Sequence, residues 1–326
     1  MKTKADITLL AIIGPTAVGK TRAAVEIAPS LDAEIISVDS MQVYRGMDIG
    51  TSKPTKGERR RVPFHLIDVV DPRADFSVAN YKEMAEVAIA GVVSRGKRPL
   101  LVGGSGLYFR AVIDDLDFAH APPDTEPRKN IEAELREATA SELHSLLEQI
   151  DPDAASGTPP SNRRRVLRAL EVARGGDRLV SERQRSWREY RSAYDLAAAG
   201  LEMDRELLYR LIDARVDSMV SRGLEDEVKG LVERGLTPGT TAGEALGYKQ
   251  MLGIFAGIMS REQAISDIKR RTRNYAKRQQ TWFKKDPRIK WFRVEGSAGD
   301  LLEDIEKSLN DTARLVLEYM SDKLEN

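Results

Sequence analysis

The chain has 326 residues, 51 Lys+Arg balanced by 51 Asp+Glu, and no cysteine. Disulfides and thiolate-ligated zinc or iron–sulfur centres are therefore excluded, and the length suits about two domains. The three histidines, His65, His120 and His144, stand far apart without an HExxH pair, which argues against a histidine-built metal centre.

In chain order, residues 7–13 form a short apolar, β-rich run. It leads into a glycine loop and lacks a cleavage site, so it reads as a strand and not as a targeting segment. No stretch reaches the roughly 18 to 20 apolar residues that a membrane span needs. Residues 20–28 carry helical spacing, 34–38 form a second strand, 78–95 a helix and 99–102 a third strand. This alternation predicts an α/β fold with a parallel, doubly wound sheet. The proline-rich "FAHAPPDTEP", residues 118–127, reads as a linker. Residues 128–191 look helical and highly charged, with Asn162 a suitable cap before "RRRVLRALEV". A helical insertion is expected over 116–199, between core segments 1–115 and 200–326. Residues 205–233 predict one long amphipathic helix, and 234–243 a loop. Residues 244–255, 261–285 and 300–320 predict further helices. The neutral total hides a local excess, with twelve Lys/Arg against three Asp/Glu over residues 261–293.

The clearest motif is "GPTAVGKT", from Gly14 through Pro15, Thr16, Ala17, Val18, Gly19 and Lys20 to Thr21. It fits G-x-x-x-x-G-K-[ST] between a strand and a helix, a phosphate-binding loop. Its backbone amides and the helix N-terminus would face phosphate oxygens, Lys20 would add charge, and Thr21 could ligate Mg2+. A hydrolase of this class carries an acid at the end of a neighbouring strand. The candidate strand here ends in Gly103-Gly104, and no acid stands there. The loop is thus expected to hold a leaving group in a transfer reaction.

Asp39 follows the second strand, at the edge where open α/β sheets bind ligands. It suits a general base, with an Asx turn as the plain structural alternative. Arg215 falls on the apolar stripe of Leu208, Leu211, Ile212, Val216 and Met219, a position that asks for an anionic partner or for a side chain snorkelling to water. Arg270, Arg273, Lys277 and Lys284 share one helix face. Tyr44, Tyr108 and Trp282 read as core aromatics, with base stacking the alternative.

Taken together, "GPTAVGKT", "SVDSMQVYRGMDIGTSKP", "HLID", "LLVGGSGLYFRAV", "RRRVLRALEV", "LGYKQ" and "AKRQQTWF" occur in one order from residue 14 to residue 283. That ordered set resembles the tRNA dimethylallyltransferases, also called tRNA isopentenyltransferases. Ser105 stands where the family commonly has Thr, and Leu246 where it commonly has Ile; both keep the chemistry. The resemblance implies a P-loop NTPase-like core and transfer of a dimethylallyl group from dimethylallyl diphosphate to N6 of adenosine-37 in tRNA. Residues 14–21 would hold the diphosphate with Mg2+ at Thr21. Asp39 would be the general base, and Arg215 would face the diphosphate. Asp39, Ser40, Met41, Gln42, Ser105, Arg128, Arg163, Arg164, Arg165, Val166 and Lys277 match positions that contact tRNA. A cytoplasmic monomer is expected. An adenylate isopentenyltransferase and a P-loop small-molecule kinase remain alternatives, although neither needs the large insertion or two arginine-rich helices.

Overall fold

The computed structural model describes residues 3–116, 118, 135, 137–175, 179–185, 187, 189–296 and 303–325. The chain divides into two compact units, Met1–Ile113 with Ser192–Asn326, and Asp114–Arg191.

The first unit is built on six parallel strands in the order β3-β2-β4-β1-β5-β6. These are β1 (Thr8–Ile13), β2 (Ala33–Val38), β3 (Phe64–His65), β4 (Arg98–Gly103), β5 (Asp195–Met203) and β6 (Ile289–Val294). Strands covered on both faces are apolar throughout, and β1 shows the consequence. Leu10 and Ile12 pack into one core layer, and Leu9, Ala11 and Ile13 into the other. The first layer is closed by α1 (Lys20–Ile27) and the C-terminal helix Glu303–Glu325; the second by α3 (Val78–Ser94) and α4 (Gly106–Ile113). The short helix α2 (Lys56–Arg61) opens with a capping box between Thr55 and Glu58.

Two expectations change. Strands β3, β5 and β6 were not visible in the sequence, and β5 takes residues 195–199 from the expected insertion into the sheet. Its run Ala197–Ala199 is fully buried, so close neighbours select small residues over β-branched ones. The expected helix over 205–233 is two helices, Arg205–Ser221 and Leu224–Glu233. Gly223 separates them at φ 91°, a left-handed conformation that glycine adopts without a Cβ clash. A third apolar cluster joins Tyr44 and Met47 to these two helices, to Tyr248–Phe255 and to Ile268 of the long helix Arg261–Phe283.

The second unit contains helices α5 (Ala140–Ile150), α6 (Pro152–Ser156), α7 (Arg163–Arg174) and α8 (Val180–Arg185). Leu143, Leu147, Val166 and Leu170 form its core. Asn162 caps α7, accepting a hydrogen bond from the Arg165 amide. Back in the first unit, α9 and α10 are Arg205–Ser221 and Leu224–Glu233, and α11, α12 and α13 are Tyr248–Phe255, Arg261–Phe283 and Glu303–Glu325.

Candidate active site

Register assembles the site. Val38 of β2 pairs with Gly103 of β4, Gly103 with Ile13 of β1, and Ile13 with Gly200 of β5. The next residue in each of the first three strands is Asp39, Gly104 and Gly14, so base candidate, glycine turn and phosphate loop leave the same edge of the sheet. A Cβ on Gly103 would lie 2.0 Å from the Val38 carbonyl oxygen, and one on Gly104 would lie 2.2 Å from Gln279 Nε2. The β4 end therefore admits only glycine.

The loop runs from Gly14 to Gly19, which sits at φ 96° as the N-cap of α1. Lys20 Nζ donates to the Pro15 carbonyl at 2.6 Å. Burial, then the Arg215 charge, lower the Lys20 amine to about 7, with Asp39 opposing. Thr21 stands in the first turn of α1 and lines the same cleft. Asp39 Oδ1 accepts from the Met41 amide at 2.8 Å and the Gln42 amide at 3.3 Å. Burial pushes the Asp39 carboxyl up, against the pull of those amides and of Lys20 and Arg215. Asp39 thus makes the Asx turn and also faces the two cations; the two roles coexist.

Arg215 projects from α9 and donates through Nε to Ser52 Oγ at 2.8 Å. Burial depresses the guanidinium, and only Asp39 compensates. Neither Lys20 nor Arg215 has a carboxylate within ion-pair distance among the described residues. Two half-buried cations facing a ligand space without a carboxylate bonded to either suit an anionic ligand. Ser40 N–H donates to Ser105 Oγ at 3.2 Å. Gln42 accepts from Ser37 Oγ at 2.9 Å and donates to the Thr51 carbonyl at 3.2 Å, tying the 50–54 loop to the end of β2.

Lys20, Thr21, Asp39, Ser40, Gln42, Ser52 and Arg215 line one cleft of about 720 Å³ in the first unit, whereas Ser105 is buried and not part of that lining. Leu211, Ile212, Val216, Met219 and Ile268 add an apolar wall to it. A cationic, amide-rich end beside an apolar wall suits an anionic head group attached to a hydrocarbon. The P-loop threonine implies a divalent cation. No three His, Asp or Glu converge to cage one among the described residues. The donors present, the Thr21 hydroxyl and oxygens of a bound phosphate chain, fit a hard ion such as Mg2+ that keeps much of its water.

Several supporting residues escaped the sequence reading. Glu227 of α10 accepts from the amides of Asp48, Ile49 and Gly50 at 2.9, 2.7 and 3.2 Å and from the Tyr248 hydroxyl at 2.6 Å. Lys53 is buried, donating to the Tyr44 carbonyl and to Asp48, and pairing with Asp68, which also holds Arg59. His65 meets Glu34 at 2.6 Å. The amides that Glu227 holds lie far from it in sequence, whereas Lys53 and its partners are near one another; Tyr248, Lys53 and Asp68 belong to motifs that the sequence displayed.

The basic elements are less uniform than expected. Arg273 pairs with Asp213, Lys284 with Glu202, and Arg270 and Arg271 with Asp267. Lys277 and Arg278 have no ion pair among the described residues. Lys277 lines a second cleft of about 270 Å³ with Arg205, Tyr209 and Thr281. In the second unit, Arg163 donates to the Leu135 carbonyl at 2.7 Å and to that of Ala138, while Arg164 and Arg165 start α7. The Val166 side chain is fully buried in that unit's core, which leaves its backbone as the part of this residue that could meet RNA. Arg128 lies outside the described residues. Tyr44 and Tyr108 are core residues, Tyr108 packing on Tyr81 at 4.4 Å, whereas Trp282 is 42% exposed.

Comparison with known proteins gives consistent matches. The family described as IPP transferase matches residues 42–286, and the one described as isopentenyl transferase matches 7–70. A tRNA dimethylallyltransferase of Pelotomaculum thermopropionicum is 45% identical over 290 residues, 89% of this chain and 92% of that protein. One from Halalkalibacterium halodurans is 46% identical, covering 87% and 90%. Among solved structures, the tRNA isopentenylpyrophosphate transferase of Bacillus halodurans superposes with TM-score 0.70 at 40% identity, covering 98% of both chains. A eukaryotic dimethylallyltransferase captured acting on tRNA gives TM-score 0.75 at 27% identity, covering 97% of this chain and 80% of that one.

Proposed function

This chain belongs to the tRNA dimethylallyltransferase (IPP transferase) family, and from that premise we propose that it prenylates tRNA. It moves the dimethylallyl group of dimethylallyl diphosphate to N6 of adenosine-37, beside the anticodon. The observation that carries this reading is the cleft in which Lys20 and Arg215, lacking carboxylate partners, face Asp39 across one space. A kinase shares the loop, but the absence of an acid at the β4 end and the apolar wall favour a prenyl donor.

The loop amides, Lys20 and Arg215 bind the diphosphate and orient its allylic C–O bond toward the end of β2. Thr21 would hold Mg2+, which when bound supplies positive charge to the departing diphosphate. The C–O bond breaks and the electron pair leaves with the diphosphate. N6 forms the new C–N bond, and its proton passes to the Asp39 carboxylate. A carboxyl raised by burial is a stronger base than a solvated one, and Lys20 and Arg215 pull the other way, toward the ionised form. Adenosine must leave its stack to reach Asp39, as enzymes that modify bases require. Ser40 and Gln42 offer hydrogen-bonding groups to its edge. The Arg164–Arg165 end of α7 and Lys277 contribute phosphate contacts. The enzyme acts as a cytoplasmic monomer.

The deciding experiment offers labelled dimethylallyl diphosphate and Mg2+ with unmodified tRNA transcripts, with AMP, or with ATP and small alcohols. N6-dimethylallyladenosine in the tRNA digest is the expected product. Label in AMP alone would select the adenylate isopentenyltransferase, and phosphoryl transfer to an alcohol would select the kinase.

A further inference from the structure

Gln279 sits on α12, 6% exposed, two residues beyond Lys277. Its Oε1 accepts the Thr16 amide at 2.8 Å and its Nε2 donates to the Gly104 carbonyl at 2.9 Å. Tyr275, one turn earlier, lies beside Gln279 and Ser105, and Ser105 accepts the Ser40 amide. One side-chain amide thus links the phosphate loop to the glycine turn. The pocket for it is specific, because Gly104 has no Cβ to displace Nε2.

We propose that Gln279 is a positioning residue that braces the phosphate loop: it fixes the Thr16 amide against α12 so that the amides from Ala17 to Thr21 are preset for the donor's diphosphate. The brace stands on geometry, but its ligand rests on the diphosphate reading above. Both ends of the Gln279 amide are occupied inside the protein, so Thr16 N–H is not a phosphate donor here. It is the fixed point from which the remaining loop amides are aimed. Losing the brace leaves a buried N–H and a buried carbonyl unpaired, which the loop relieves by moving.

The test measures equilibrium binding of inorganic pyrophosphate with Mg2+ to the full chain and to Gln279→Met, which keeps length and removes both hydrogen bonds. The dissociation constant is expected to rise about tenfold, in line with a lost buried hydrogen bond. The KM for the donor should rise with it, while kcat at saturating donor and RNA stays within about twofold, a split that general loosening of the fold would not give. Equal pyrophosphate affinity in the two proteins overturns the brace alone. Failure of the unsubstituted chain to bind pyrophosphate overturns the diphosphate reading and the brace with it. Should Gln279→Met not fold, amide exchange in the unsubstituted chain decides. Thr16 protected both before and after pyrophosphate is the expected result, and rapid exchange at Thr16 in the free protein sinks the proposal.

Discussion

The cations of the cleft and those of α12 differ in what answers their charge. Lys20 and Arg215 are half-buried, and their bonded partners are a backbone carbonyl and a serine hydroxyl. Arg270, Arg271, Arg273 and Lys284 are met by Asp267, Asp213 and Glu202. A buried charge left without a counter-ion costs stability, whereas exposed ion pairs are worth little either way. The cleft therefore holds its charge in reserve for a ligand, and much of the helix surface is already neutralised. Sequence composition could not separate the two, because it counts charges without their partners.

The sharpest way to break this comparison is at Asp39. Asp39→Asn keeps an acceptor for the Met41 and Gln42 amides and removes the base, so transfer is expected to fall roughly 10²- to 10⁴-fold. Binding of an anticodon stem-loop, followed by fluorescence anisotropy, should persist. Loss of both together would make Asp39 a scaffold residue.

Next in size is Lys20→Met, expected to weaken pyrophosphate binding by about 10- to 100-fold, the worth of a charge-assisted contact. The same substitution has a stability signature. The Lys20 amine titrates near 7 in the folded protein against its ordinary 10.5. Between those values the unfolded chain holds the extra proton, so the unsubstituted protein gains stability from this group as pH rises from 7 to 10.5. Lys20→Met should raise the ligand-free Tm most below pH 7, and the gain should vanish above pH 10.5. Pyrophosphate affinity of the unsubstituted protein should fall as pH climbs through about 7, where binding begins to require proton uptake.

A smaller effect sharpens the other half. Lys277→Ala is expected to reduce the salt dependence of RNA binding by about one unit of slope, since Lys277 carries no ion pair among the described residues. Smallest is Asp213→Ala, which unpairs Arg273. Urea titration should show a stability loss of about 0.2–1 kcal/mol, and RNA binding should hold or tighten as a cation is freed.

The legible parts of this molecule were those written locally. The phosphate loop is a contiguous pattern, and β1, β2 and β4 are apolar runs of strand length. Asp39 could be placed because it follows a strand directly. The alanine-rich β5 was hidden because its state is set by burial between β1 and β6 and not by its own propensity. Glu227 and Gln279 were hidden for a related reason. Each is an ordinary polar residue on a charged helix until the fold brings it to amides more than 170 residues away in sequence. The burial of the Val166 side chain was hidden because a motif marks a segment without saying which face of the helix looks inward.

The paired glycines at the close of β4 also bear on how this site can change. Any side chain at Gly103 would collide with the neighbouring strand's backbone, and any at Gly104 with Gln279. An aspartate there, the most direct route from a transferase toward a nucleotide hydrolase, cannot be introduced by one codon change without rebuilding the adjoining strand and helix. At Gly103 that steric closure is set by backbone, which side-chain adjustment alone does not relieve.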